Sequence, residues 1–356
     1  MMERVRTIDI AAHAGRRVRV LGWLHALRLL GGVSFLVVRD GWGMVQVVTE
    51  DAADLAPLHE ADAGPETVLA VEGEVVAMPQ APGGFELQRP TIEILVPVRE
   101  ETPVLLSKRN LRVSLPTLLD HAVVANRHPA RRAAFRLAAA AMGGFRATLK
   151  AAGFTEIQTP KIVASATEGG ANVFRLEYFG RDAYLAQSPQ FYKQIMVGVF
   201  ERVYEVGPVF RAEPHDTARH VNEYVSLDAE LGFIHDHRDV MAQCRDAIAG
   251  IMEALAVECQ AELDLLRITL PEVPPEIPSI HFADAQELLF ERHGVDVRGE
   301  PDLSPQDERW LGEWAREEHA SDLLFVTGYP MRKRPFYTHP DPQRPEYSNS
   351  FDLLFR

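Results

Sequence analysis

The stretch RVYEVGPVFRAEPHDTARHVNEYVSLDAELGF, Arg202 to Phe233, decides how the rest of the 356-residue chain is read. Its first run, rich in Val, Tyr and Phe, ends at Arg211-Ala212-Glu213. Its second, from Glu223, alternates apolar and polar residues through Tyr224, Val225, Leu227, Asp228 and Glu230, as a strand paired back on the first would. Between them Pro214, His215, Asp216, Arg219 and His220 make a loop too polar for a simple turn. An Arg-x-Glu at a strand end beside such a loop suits a nucleotide clamp. Guanidinium takes phosphate in a two-point fork, and the carboxylate fixes that fork or accepts from the adenine amine. A surface hairpin carrying ion pairs uses the same residues, and exposed pairs are common and contribute little. The stretch alone leaves both readings open.

Outward from it, the length exceeds one average domain, so two domains are expected. With 46% hydrophobic and 25% charged residues, the composition is that of an ordinary soluble globular enzyme. No apolar run approaches a bilayer span, and Met1–Ala12 carries acidic residues instead of a signal-peptide core. Cys244 and Cys259 lack metal spacing and suit a reducing, cytoplasmic setting with no membrane partner. A net charge of −14 gives no overall pull toward nucleic acid, so such a partner must be held by a local surface and base contacts.

The first hundred residues read as five strands: Val18–Leu24, Ser34–Arg39, Met44–Thr49, Val68–Met78 and Gly84–Val96. A short helical piece, Asp54–Asp62, falls between the third and fourth. That order matches an OB-fold barrel, whose open face binds oligonucleotides. Phe35 and Gln46 sit on neighbouring strands, where a base could stack on one and bond to the other. Stacking of this kind contributes roughly 1–3 kcal/mol per base. Phe35 in the barrel core and Gln46 on a solvated face is the blander alternative.

Glu101–Ala125 has no clean period and reads as a hinge. Pro129–Ala152 turns helical, with Phe135, Leu137, Ala141, Phe145 and Leu149 near helical spacing and Gly153 as a stop. Gly143-Gly144 inside it implies close approach of another backbone, in this chain or a second subunit. FTEIQTPKIV reads as a strand at an edge or an interface because Pro160 cannot donate to a ladder. Ser165–Phe174 is a Gly-rich loop with one carboxylate, Glu168, suited to a lid over an amine or to an ordinary turn. AYLAQSPQFYKQIMVGVF reads as strand, turn and helix. Lys193, in the first helical turn, sits against the helix dipole, which points to an anionic ligand or to a solvated surface lysine.

These runs together resemble the aspartyl-tRNA synthetases, class II aminoacyl-tRNA synthetases of the subgroup that also holds the lysine and asparagine enzymes. The likeness covers nearly the whole chain: the barrel, a motif 1 helix and proline strand (Pro129–Lys161), and motif 2 (Arg202–Phe233). SPQFYKQ and FRAE…RHVNEY are specific, and FRAE with YPMRKRPFYTHP is closest to the archaeal-type form. The fold implied is α+β. An OB-fold anticodon-binding domain (1–100) and a hinge (101–125) would precede an antiparallel catalytic sheet flanked by helices (126–356).

The resemblance also implies roles. Arg211 would hold the ATP α-phosphate as the catalytic cation, Glu213 the adenine amine, and Tyr224 the adenine ring. Arg219 and His220 would reach the γ-phosphate and the tRNA acceptor end. Lys193 matches the lysine that pairs with the substrate's side-chain carboxylate, which favours aspartate over asparagine. Gln190, Glu168 and Asp228 match groups around the α-amino end, and Ser188 lines the pocket. Phe35 and Gln46 fall on anticodon-reading positions, with Arg28 nearby. Family members that charge both tRNA-Asp and tRNA-Asn tend to carry a histidine after the first barrel strand and a proline in the last hairpin. His25 and Pro82 stand at those places. The expected partners are ATP, L-aspartate, tRNA-Asp and tRNA-Asn, in a homodimer built through motif 1. The expected chemistry is attack of the aspartate carboxylate on the α-phosphorus, then transfer to the tRNA 3′ end, with Mg²⁺ and no enzyme nucleophile.

One departure accompanies the likeness. Asp352 matches one Mg²⁺ ligand, while its partner carboxylate, a substrate arginine and motif 3 would lie beyond Arg356. The sequence therefore reads as a fragment or as a C-terminally truncated product, and in the second case as a feeble or inactive enzyme with open sheet edges. A non-catalytic tRNA-binding or regulatory relative is the alternative, against which the retained Arg211, Glu213, Lys193, Gln190 and Glu168 speak.

Overall fold

The computed structural model describes residues 2–108, 110–167, 172–214 and 221–355. They fall into two compact units, Met1–Arg132 and Ala133–Arg356.

In the first unit, β1 (Arg17–Leu30), β2 (Val33–Arg39), β3 (Met44–Thr49), β4 (Val68–Ala77) and β5 (Phe85–Val96) close into a barrel in the order β1-β2-β3-β5-β4. A short helix, α1 (Ala56–Glu60), follows β3. Alternation drives closure: Val20, Leu36, Val38, Val47, Leu69 and Leu87 all point into one dry interior. Each such side chain stabilises by roughly 1.5–3 kcal/mol relative to exposure. The expected OB barrel is present, with one correction. The first strand does not end at Leu24 but runs on to Leu30, because His25 is an extra residue in a bulge. Pairing steps from Leu24↔Val38 to Ala26↔Val37 across it, which breaks the period of two.

The stretch expected as a hinge has a core of its own. It holds α2 (Leu115–Asp120), capped by Ser114, and α3 (Ala122–Ala125), with Val104, Leu106 and Ala125 buried together. Beside the barrel, the buried Glu66 carboxylate takes Arg39 at 2.8 Å and Arg127 at 2.9 Å.

Next comes α4 (Pro129–Ala151), followed by Gly153 at φ 82°. The elements after it are β6 (Thr155–Glu156), β7 (Ile162–Val163), β8 (Arg175–Tyr178), β9 (Arg181–Leu185) and α5 (Gln190–Phe200). The hairpin β10 (Arg202–Phe210) and β11 (Glu223–Leu231) comes next, then α6 (His237–Glu258) and α7 (Gln260–Leu266). The chain continues through β12 (Ser279–His281), α8 (Phe282–His293), α9 (Pro305–His319), β13 (Leu323–Thr327) and β14 (Phe351–Phe355). Three sheets result, in the orders β11-β10-β6, β7-β9-β8 and β12-β13-β14. This is the expected α+β arrangement of antiparallel hairpins flanked by helices.

Pro160 departs from expectation. It lies between β6 and β7, which belong to different sheets, so no single strand contains it. The glycine pair has its explanation inside the chain. A Cβ on Gly144 would meet the Gly250 carbonyl oxygen of α6 at 2.6 Å, while one on Gly143 would meet nothing within 4 Å. That crossing lets α4 and α6 cover one face of the β10–β11 hairpin, where Phe145, Leu149, Tyr204, Val206 and Ala247 pack together. Among the described residues, no helix is long and apolar enough to cross a membrane.

Candidate functional site

The core face of the hairpin fixes what its other face must carry. With Tyr204 and Val206 turned to the helices, the alternate residues of β10 and β11 share the opposite side. Along that side the register sets Val209 beside Tyr224, Gly207 beside Ser226, Glu205 beside Asp228 and Val203 beside Glu230. An aromatic ring thus stands at one end and carboxylates at the other. The floor between them is made by the two smallest residues. From Tyr224 to Asp228 is about 13 Å at the usual rise of a strand.

At the acidic end, α5 delivers Lys193 from its first turn. The side chain is only 6% exposed, and its Nζ lies 3.0 Å from Asp228 Oδ1 and 3.5 Å from Glu230 Oε2. A solvated surface lysine is therefore excluded. A buried ammonium is costly unless paired, and here the counter-charges are the chain's own. Gln190, three residues earlier, donates from Nε2 to Glu230 Oε2 at 3.3 Å. The Ser188 hydroxyl accepts from the Gln190 backbone N–H at 3.2 Å, and Thr167 Oγ1 accepts from the N–H groups of Gln187 and Ser188. Beneath this, the buried Glu205 accepts from Thr159 and from Lys161 at 2.9 Å. Asp228 was expected near the substrate's amino end; it sits on the Lys193 ammonium. Glu168 lies outside the described residues.

At the aromatic end, the Arg211 guanidinium is 5.9 Å from the centre of the Tyr224 ring. The Arg211 N–H donates to the Asn222 carbonyl at 3.0 Å, extending the ladder one step past β10. The Asn222 side chain in turn accepts from the Glu213 N–H at 3.1 Å. Arg211, Glu213 and Tyr224 are thus grouped at the hairpin mouth, while Arg219 and His220 lie outside the described residues. A cleft of about 1490 Å³ in the same unit is bounded by Gln190 at one side and by His237, Thr327, Tyr337 and Ser350 beyond it.

Asp352, on β14, accepts from Arg334 at 3.0 Å, and that guanidinium lies 4.2 Å over the Tyr329 ring. Burial first, then the Asp352 charge, pushes the Tyr329 phenol far above its usual range. Among the described residues no group of three His, Cys, Asp or Glu side chains is set to hold a metal. A single carboxylate is in keeping with Mg²⁺, which takes one or two from protein and fills its other positions with phosphate and water, and here Asp352 would have to be shared with Arg334.

On the barrel, inward Leu36, Val38, Val45 and Val47 leave Phe35 and Gln46 facing out. Arg28 is paired directly opposite Phe35, and Gln46 opposite Val37, so Arg28, Phe35 and Gln46 share one open face. Gln46 Nε2 donates to Glu86 at 3.1 Å. Pro82 is exposed in the turn between β4 and β5. His25 is different: it is buried at the β1 bulge, and burial, helped by the Arg39 guanidinium, lowers its proton affinity.

Three further residues shape the site, and one of them was legible in the sequence. Glu230 follows Asp228 by two on an alternating strand and so had to share its face. Thr167 and Asn222 act through backbone partners distant in sequence, which no local pattern reveals.

Residues 114–356 match the family of tRNA synthetases class II (D, K and N), and residues 18–95 match the OB-fold nucleic acid binding domain. The aspartate–tRNA(Asp/Asn) ligase of Deinococcus radiodurans is 47% identical over 360 residues, covering 100% of this chain and 81% of that protein. The enzyme of the same name from Thermus thermophilus is 47% identical over 353 residues, covering 99% and 81%. Among solved structures, asparaginyl-tRNA synthetase from Pyrococcus horikoshii with asparaginyl-adenylate superposes with a TM-score of 0.89 at 30% identity, over 100% of this chain and 81% of that one.

Proposed function

The chain belongs to the class II tRNA synthetases of the aspartate, lysine and asparagine group, and from that premise we propose that it is an aspartate–tRNA ligase charging both tRNA-Asp and tRNA-Asn. The observation that carries this reading is the single hairpin face with Lys193 at one end and Tyr224 at the other. Aspartyl-adenylate has an acidic side chain at one end, a phosphate and ribose in the middle and a flat aromatic base at the other end. The face offers a buried ammonium, a floor of Gly207 and Ser226, and a ring beside a guanidinium, in that order.

In this reading Lys193 takes the aspartate side-chain carboxylate, and Ser188, Gln190 and Glu168 hold the amino end. Tyr224 stacks on adenine, Glu213 accepts from its amine, and Arg211 takes charge that develops on the α-phosphate. Arg219 and His220 complete the phosphate side. Magnesium enters as the counter-ion of ATP, with Asp352 as one carboxylate it could meet. The barrel reads the anticodon with Arg28, Phe35, Gln46 and Pro82, and His25 acts from its buried place at the β1 bulge. The division into a barrel (1–100), connecting segment (101–125) and catalytic part (126–356) follows the same roles. A homodimer through motif 1 belongs to this reading and is supported by Phe135, apolar and 60% exposed on α4. So does a cytoplasmic setting, where tRNA is charged for translation.

Aminoacylation of tRNA-Asp and tRNA-Asn transcripts with labelled aspartate tests it. Ester formation on both supports the reading. Charging of tRNA-Asp alone removes the dual specificity, and charging of neither, with no aspartate-dependent pyrophosphate exchange, removes the enzyme.

A further inference from the structure

Lys193 has more negative charge around it than it needs. Its ammonium has three donors. Asp228 takes one at hydrogen-bond distance, 3.0 Å, and Glu230 stands at 3.5 Å, an ion pair without a full hydrogen bond. Two carboxylates on one buried ammonium leave an excess negative charge where the proposed reading, on which this inference rests, brings in a third. Like charges crowded this closely cannot all stay. One of the two must yield when an acidic ligand arrives.

The geometry points to Glu230 as that group: we infer that its carboxylate is an internal stand-in for the substrate's side-chain carboxylate, occupying Lys193 and giving way when aspartate binds. Three observations single it out over Asp228. Its contact is the longer one. Its side chain is the more exposed, 27% against 18%. Among the described residues it alone already has a second hydrogen-bond partner, Gln190 Nε2 at 3.3 Å, to keep it bonded after release. Asp228 is shorter and lies opposite Glu205, whose carboxylate is tied by Thr159 and Lys161, so among the described residues it has no comparable retreat. Glu230 is thus a positioning residue that sets the affinity for the acidic side chain, and it does so by competing with it.

The consequence is unusual for a residue in a binding site: neutralising it strengthens binding. In calorimetric titrations of the full chain with L-aspartate, in the presence of a non-hydrolysable ATP analogue, Glu230→Gln and Glu230→Ala should each bind about three- to tenfold more tightly than wild type, the weight of one competing ion pair that lacks a full hydrogen bond. A folded variant, judged by its circular dichroism, that binds aspartate equally or more weakly overturns the proposal. A structure of the wild-type chain soaked with aspartate gives an independent answer that needs no variant. Glu230 moved away from Lys193, with ligand carboxylate on the ammonium, supports it; Glu230 still 3.5 Å from Nζ with ligand bound overturns it. Lys193→Met run alongside separates this idea from the reading beneath it. Undiminished aspartate binding by that variant sinks the assignment of the site, whatever Glu230 does.

Discussion

Asp228 and Tyr224 stand four residues apart on the same face of β11, one against the Lys193 ammonium and the other beside the Arg211 guanidinium. Their separation divides the work of the site, so their losses should be separable. Asp228→Asn leaves the buried Lys193 without its nearest counter-charge and is expected to lower kcat/KM for aspartate about 10- to 100-fold. Tyr224→Ala should instead raise the KM for ATP about tenfold, the loss of one stacked base. Pyrophosphate exchange at varied aspartate and varied ATP reads both. Equal effects of both variants on both substrates would refute the division.

The two glycines of α4 should respond in opposite senses. Gly144→Ala drives a methyl group into the Gly250 carbonyl and the Ala254 side chain. Overpacking of this kind costs about 1–3 kcal/mol. Gly143→Ala meets open space inside a helix and should add about 0.5–1 kcal/mol of stability. Denaturant midpoints of the two variants check the pair, and a neutral Gly144→Ala would show that the helices can separate freely.

Phe35→Ala should weaken tRNA binding by roughly 1–3 kcal/mol while leaving aspartate-dependent pyrophosphate exchange intact, since the ring sits on the barrel's open face. Arg28, its cross-strand neighbour, should act through phosphate. Arg28→Ala is expected to lower the slope of log affinity against log salt by about one. Filter binding at several salt concentrations measures both effects. An unchanged slope would assign Arg28 to shape alone.

Acid should loosen the fold before it damages any carboxylate. Burial, joined by the Arg39 charge at His25, holds His25, His237 and His281 below the usual imidazole range. The unfolded chain therefore takes up protons that the folded chain refuses. Their contribution is complete above about pH 6.5 and is lost as pH falls from there toward the depressed folded values. Thermal melting should give a lower Tm at about pH 5.5 than at pH 7.5, and His25→Gln should flatten part of that slope. Equal Tm values at the two pH values would contradict this.

What the sequence made legible follows from what is local. Met44–Thr49 is a strand end to end because alternation and two flanking turns act within six residues. The first strand was cut short at Leu24 because the bulge at His25 is created by its pairing with β2, not by its own residues. Pro160 misled for the same reason: β6 and β7 join different sheets, a fact held by distant partners. The helix His237–Glu258 escaped notice although its cap, Asp236, is of the usual kind. At the site, Lys193 stood out by its awkward place at a helix start. Its partners became visible only once β11 lay across from α5.

The Glu66 carboxylate reaches back to Arg39 in the barrel wall and forward to Arg127, long after the last barrel strand has ended. Cutting the chain at residue 100 would carry off the inner half of this clasp and strand an acid with one cation gone. The compact unit that holds the barrel is therefore larger than its five strands. It extends through residue 132, and a transplant of the barrel into another protein should be cut beyond the clasp.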